Sequence, residues 1–161
     1  MAKTLRFFSL AGLVTLAFTM TGCSSSRSNY SVDQNVVDTT YVHKYGVAVP
    51  SDFWTTSGEH GSVISTMGDG VIVNRSYTSG ALDGETTYTY PHSTQIEKSE
   101  SFQMGALVKV TEFYFDGTPK LLTTYNTPAQ GMRAVNSWYL AGTPRSNEVY
   151  NGNQLVSGEY F

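Results

Sequence analysis

The chain has 161 residues, enough for one domain of ordinary size, and a formal net charge of -3. Aromatic residues make up 13% and charged residues only 14%, with 15 Gly and 11 Tyr, which favours strands and turns over helices. A single cysteine, Cys23, excludes an internal disulfide, and the acidic balance argues against a nucleic-acid partner, which would need a basic footprint.

Residues 1–22 read as a secretory signal. Lys3 and Arg6 form a positive start, Phe7 to Phe18 is mostly apolar, and Met20-Thr21-Gly22 leads to Cys23. The apolar run is short for a bilayer span, which takes about 20 residues. Met20-Thr21-Gly22-Cys23 resembles the bacterial lipobox, with Met20 where that pattern most often has Leu. The resemblance implies cleavage between Gly22 and Cys23, diacylglycerol on the Cys23 thiol and an acylated new amino terminus, so that the membrane is a partner through acyl chains. Cleavage there leaves 161 − 22 = 139 residues with 8 basic and 13 acidic side chains, since Lys3 and Arg6 are lost, a balance of -5. Attraction to anionic lipid is therefore not expected to do the anchoring. Ser24, directly after the cysteine, resembles the outer-membrane sorting choice of Gram-negative lipoproteins.

Residues 23–40 combine the lipidated cysteine with a Ser-, Asn- and Asp-rich stretch that reads as a flexible tether. Residues 41–70 read as an irregular or β segment: Tyr45 to Pro50 is extended, and Phe53 and Trp54 are expected to pack on the first repeat. Asp69-Gly70 signals a turn. In the strand predicted over 71–78, Val71, Val73, Arg75 and Tyr77 alternate with Ile72, Asn74 and Ser76.

Residues 71–161 read as a β-hairpin repeat domain. Phe113-Tyr114-Phe115-Asp116-Gly117-Thr118-Pro119-Lys120 returns twenty-five residues later as Trp138-Tyr139-Leu140-Ala141-Gly142-Thr143-Pro144-Arg145, and Tyr88-Thr89-Tyr90 keeps the register backwards. Tyr77-Thr78-Ser79-Gly80-Ala81-Leu82 returns as Phe102-Gln103-Met104-Gly105-Ala106-Leu107. A fixed period of this length marks a repeat architecture. Turns are predicted at Gly80, Asp83-Gly84, Asp116-Gly117, Ala141-Gly142 and Asn151-Gly152, with positive φ at Gly117 and Gly142. Tyr88/Tyr90, Phe113/Phe115 and Trp138/Leu140 are each expected to share a strand face and to stack into one aromatic stripe. Hairpins this short are marginal alone, so each must be stabilised by its neighbours. By the register the next aromatic pair falls just beyond Phe161, and the expectation is a strand cut short, either continued or paired with another chain.

These residues resemble the variant MORN-repeat family, which includes bacterial proteins labelled YwqK-type antitoxins. The pattern is carried by Tyr77, Gly80, Leu82, Gly84, Tyr88 and Tyr90. It recurs with Phe102, Gly105, Leu107, Phe113, Phe115 and Gly117, where Lys109 replaces the second Gly. A third unit runs from Tyr125 through Trp138 to Gly142, with Pro128 replacing the early Gly. The resemblance implies an all-β open stack of antiparallel hairpins, preceded here by the signal and tether, and a role as a scaffold for a protein partner. Antitoxin activity is not carried over, because a secreted protein is in the wrong compartment for it.

No catalytic, metal or cofactor motif emerges. His43, His60 and His92 lack ligand spacing, no Ser lies in Gly-x-Ser-x-Gly, and Gly68-Asp69-Gly70 lacks the Lys of a phosphate loop. Glu97 and Glu100 read as solvated strand charges rather than a glycosidase pair. The expectation is a non-enzymatic envelope protein, the alternative a carbohydrate-binding module using exposed Tyr.

Overall fold

A computed structural model describes residues 35–126 and 131–161. They form one open antiparallel sheet of eleven strands with a single short helix. Strand β1 is Val36–His43 and β2 is Ala48–Val49; helix α1, Ser51–Thr56, leads into β3, Gly61–Met67. Then follow β4 (Ile72–Thr78), β5 (Ala81–Thr89), β6 (Ile96–Gln103), β7 (Ala106–Phe113), β8 (Pro119–Tyr125), β9 (Met132–Trp138), β10 (Pro144–Asn151) and β11 (Gln154–Tyr160). The strands lie in the order β11-β10-β9-β8-β7-β6-β5-β4-β3-β1-β2. From β3 onward the sheet is a plain meander, so the chain is an all-β stack of hairpins.

The sheet begins earlier than the sequence suggests. Val36 to Thr40 fall in the predicted tether, yet all but Val37, which sits in a bulge, pair with β3, because Val36, Thr39 and Thr40 are β-branched and fit a pleated surface. Likewise 41–70 is part of the same sheet. Pro50 fixes its φ at −62 and caps α1, which carries the chain from β2 over β1 to β3. The helix drops Trp54 onto one sheet face, 5.7 Å from the Tyr41 ring and 6.2 Å from the Tyr77 ring. Trp54 is thus packed on the first repeat as expected, whereas Phe53 stays half exposed beside His43.

Along each strand alternate residues share a face, and the ladder registers carry those faces across the sheet. The first face holds Tyr41, Val73, Arg75, Tyr77, Thr86, Tyr88, Lys98, Glu100, Thr123 and Glu148. The second holds mainly small polar side chains, among them Thr40, Asn74, Thr87, Ser99, Thr111 and Asn136. Among the described residues only Trp54 and Val73 are fully buried apolar side chains. The sheet is held by its backbone ladder and by half-buried cross-strand pairs, each worth about 0.2–1 kcal/mol.

The hairpin unit is visible in the turns. Tyr77 pairs with Leu82 around Ser79-Gly80, and Phe102 with Leu107 around Met104-Gly105. Both turns have positive φ at both central residues (53 and 76, 48 and 83), the type I′ pattern whose twist matches the flanking strands. Tyr150 and Leu155 repeat the pair around Gly152. Pro128, predicted to weaken the turn of the third unit, lies outside the described residues. Asp83-Gly84 is not a turn: it lies inside β5, in a bulge that sets Asp83, Gly84 and Glu85 opposite Ser76. Gly84, at φ 98, supplies the backbone freedom the bulge needs.

That bulge also corrects the register. Strand β7 carries one extra residue, Val108, where β5 carries two. Beyond it, equivalent positions in the first two units are twenty-four apart: Thr89 pairs with Ile96 as Phe113 pairs with Pro119 and Trp138 with Pro144. A one-residue slip exchanges faces. Tyr88 therefore lies on the first face and Phe113 and Trp138 on the second, while Phe115 and Leu140 lie beyond the strands. The single stripe expected from Tyr88/Tyr90, Phe113/Phe115 and Trp138/Leu140 does not form.

Candidate functional site

The connections between β3 and β4, β5 and β6, β7 and β8, and β9 and β10 all emerge at one end of the sheet, and they form a rim. Three have the same geometry. Met67, Tyr114 and Tyr139 each donate their backbone N–H to the residue four further on, Val71, Thr118 and Thr143, at 2.8, 2.8 and 2.9 Å. Each also accepts from the glycine three further on, Gly70, Gly117 and Gly142, at 2.9, 2.9 and 2.8 Å. The glycines stand at φ 81, 87 and 78, so the predicted positive φ at Gly117 and Gly142 is found. This is a type I turn closed by a left-handed residue. Asp69 and Asp116 each accept, through one carboxylate oxygen, from the N–H groups of Val71 and Thr118 at 3.1 and 2.9 Å.

The loops are linked to one another. At the N-terminal side Gly68 donates to Asn35 O and His92 donates to Gly70 O, at 2.8 and 3.0 Å. The Tyr90 hydroxyl donates to Phe113 O at 2.7 Å, and the Tyr114 hydroxyl to Trp138 O at 3.0 Å. This ladder ties each unit to the next through a carbonyl at the end of a strand. Burial, with the Glu97 charge behind it, raises the Tyr90 pKa and keeps the phenol a donor. Tyr139 is the equivalent of Tyr114. It makes no such hydrogen bond among the described residues, and the Arg145 guanidinium lies 5.8 Å from its ring. Phe161 donates its N–H to Arg145 O at 3.0 Å.

Apolar side chains crown this rim. Phe115 and Leu140, at the tips of successive loops, are 62% and 59% exposed, and Phe161 is 64% exposed. The Phe115 ring meets Tyr90 at 5.2 Å. Lys120 and Arg145 are exposed at equivalent positions, each one residue past a strand-opening proline.

A second set of polar groups lies on the first face. Glu100 accepts from the Tyr88 hydroxyl at 3.0 Å and from Lys98 Nζ at 2.9 Å, and Lys98 stands 4.1 Å over the Tyr88 ring. Glu100 is therefore bonded within the sheet, not a solvated edge charge. At the equivalent place on β10, Glu148 accepts from the Tyr150 hydroxyl at 2.6 Å. That bond, helped by the Ser146 and Tyr160 hydroxyls and the Arg145 charge and opposed by burial, holds the Glu148 carboxyl below its ordinary range.

The predicted residues thus divide. Tyr77, Gly80, Leu82, Phe102, Gly105 and Leu107 shape the tight turns; Tyr90, Phe113, Phe115, Gly117, Trp138, Leu140 and Gly142 build the rim; Gly84 sits in the β5 bulge and Tyr88 on the first face. Gly22 and Cys23 lie outside the described residues. Tyr114 and Tyr139 were not singled out, although each stands three residues before a turn glycine, a spacing readable in the sequence. His60 accepts from Ser79 N–H at 3.3 Å at the far end of the sheet, while His92 sits in the rim at φ 55. Among the described residues no three His, Cys, Asp or Glu side chains come together as a metal site, and no helix is long and apolar enough to cross a membrane. No family model and no curated protein matches the chain.

Proposed function

We propose that the chain is a lipid-anchored protein of the bacterial cell envelope, at the outer membrane, whose hairpin sheet is a binding surface for another protein and carries out no catalysis. The anchor in this reading is Cys23, acylated after cleavage behind Gly22. The likeness of the repeats to variant MORN proteins supports a scaffold role. The observation that carries the binding surface is the openness of the sheet. Over most of its width neither face is covered by a second layer among the described residues, and the first face presents paired Tyr, Glu, Lys and Arg side chains. Tyr and Arg are enriched where proteins bind one another.

Labelled palmitate tests the anchor: it should enter the wild-type chain and not Cys23→Ser, and equal labelling of both would overturn it. A carbohydrate-binding reading draws on the exposed Tyr139 and Phe115 rings on neighbouring loops. It predicts retention on cell-wall polysaccharide that is lost in Tyr139→Ala.

A further inference from the structure

The rim is also where the chain enters the sheet. Strand β1 runs antiparallel to β3, so it starts at the end where the loops between β3 and β4 and between β5 and β6 emerge. Asn35, just before β1, is hydrogen bonded to Gly68 in the first of those loops. We propose that this rim is a membrane-facing surface, with Phe115 and Leu140 entering the headgroup zone of the bilayer that holds the anchor. The proposal rests on the anchored reading of Cys23.

The twelve residues from Cys23 to Asn35 reach roughly 40 Å when extended, at about 3.3–3.6 Å each. The Leu140 loop lies between β9 and β10, seven to eight strand spacings from β1, or roughly 36 Å at about 4.8 Å per strand. Every loop of the rim is therefore within reach of the surface that carries the acyl chains. Exposed apolar groups also occur at the opposite end of the sheet, Tyr45, Val47 and Met104, but the chain does not enter there.

The chemistry of the rim suits lipid. Phe115 and Leu140 are exposed apolar side chains at loop tips, and Tyr139, 47% exposed, presents an amphipathic ring of the kind that settles at a headgroup boundary. Lys120 and Arg145 are the second residues of β8 and β10, behind the loop tips, with Lys120 3.4 Å from the Glu112 carboxylate. The Asp69 and Asp116 carboxylates, although exposed, each accept a loop N–H through one oxygen. With the rim on the lipid, both sheet faces stand clear of the membrane and remain open to a protein partner.

Two tryptophan probes of exposed positions test the proposal in the full chain, acylated and reconstituted in phosphatidylcholine–phosphatidylethanolamine vesicles with brominated phosphatidylcholine. Leu140→Trp puts an indole at the rim, and Tyr45→Trp puts one at the opposite end, at a residue 77% exposed. Both positions lie in connections outside the strands. Bromolipid should quench the added emission of Leu140→Trp and shift it to the blue, and should leave that of Tyr45→Trp unchanged. Equal quenching of both, quenching of Tyr45→Trp alone, or no quenching in a protein that still floats with vesicles would overturn the rim assignment. The last of these outcomes would leave the rim to a protein partner. Flotation of Cys23→Ser alongside separates the anchor from the rim. Flotation that survives without Cys23 contradicts the anchor, and quenching reads the rim independently.

Discussion

Replacing Tyr90 by Phe removes one hydroxyl and leaves the carbonyl of Phe113 without its donor. Tyr114→Phe does the same to Trp138. Each change should lower stability by about 1 kcal/mol, the usual net worth of one such bond. Tyr139→Phe should cost almost nothing, since its hydroxyl bonds to no carbonyl among the described residues. Urea midpoints of the three variants check this, and an equal loss in all three would remove the ladder from the account. The turn glycines differ among themselves for equally local reasons. Around Gly117 there is open space, so Gly117→Val should cost only the left-handed backbone penalty, about 1–2 kcal/mol. At Gly61, φ 133, an added Cβ would collide with the backbone oxygen of Val42, where β1 and β3 meet. Gly61→Ala should therefore lower the thermal midpoint further than Gly117→Val, although alanine is the smaller residue; the reverse order would contradict the β1–β3 register.

At the scale of the hairpin, the sequence was most legible where a turn dictates its own residues. Type I′ turns need positive φ twice, so Gly80 could be placed as a turn without a structure, and the repeat sets Gly105 at the equivalent position, while the Tyr77/Leu82 and Phe102/Leu107 pairs emerge only in the sheet. Strand β4 was legible for the same kind of reason, because its alternation is strict. The faces of β5 and β7 were not. They depend on whether a bulge holds one residue or two, and Asp83-Gly84 looks the same in a turn as in a bulge. The rim's turns at Asp116-Gly117 and Ala141-Gly142 were legible, but Phe115 and Leu140 read as strand residues, since loop residues can keep the period as faithfully as strand residues. The tether ended earlier than its composition implied, because β-branched Val36 and Thr39 gain from pairing with β3 what they cannot gain alone. The last hairpin allows a test of its own. Glu148 has a lowered pKa, so it stabilises β10–β11 above the ordinary carboxylate range, and that support is lost as pH falls through the lowered value. Amide resonances of β11 should shift and broaden on acidification across that window in the wild type, and do so much less in Glu148→Gln. Identical acid behaviour in the two proteins would mean that Glu148 does not hold the hairpin.

For the whole molecule, an open sheet with only two fully buried apolar side chains among the described residues is an extended surface first and a core second. Stability in such an array is a sum over neighbours. That leaves both faces of the middle hairpins available for binding. Strand β11, exposed along its length, pairs with β10 and is the outer strand of the described sheet. Tyr160 and Phe161 are 66% and 64% exposed, while the Tyr160 hydroxyl reaches back to Glu148 on β10. The proposed division of labour is spatial: acyl chains and rim on the lipid, sheet faces toward a protein. Photo-cross-linking in the intact envelope tests it most directly, with a photoreactive phenylalanine at Lys109 or at Glu112, on opposite faces of β7, and at Phe115 on the rim. The account predicts a discrete protein adduct from at least one of the two faces and lipid adducts from Phe115. An anchored chain that gives no protein adduct from either face would contradict it.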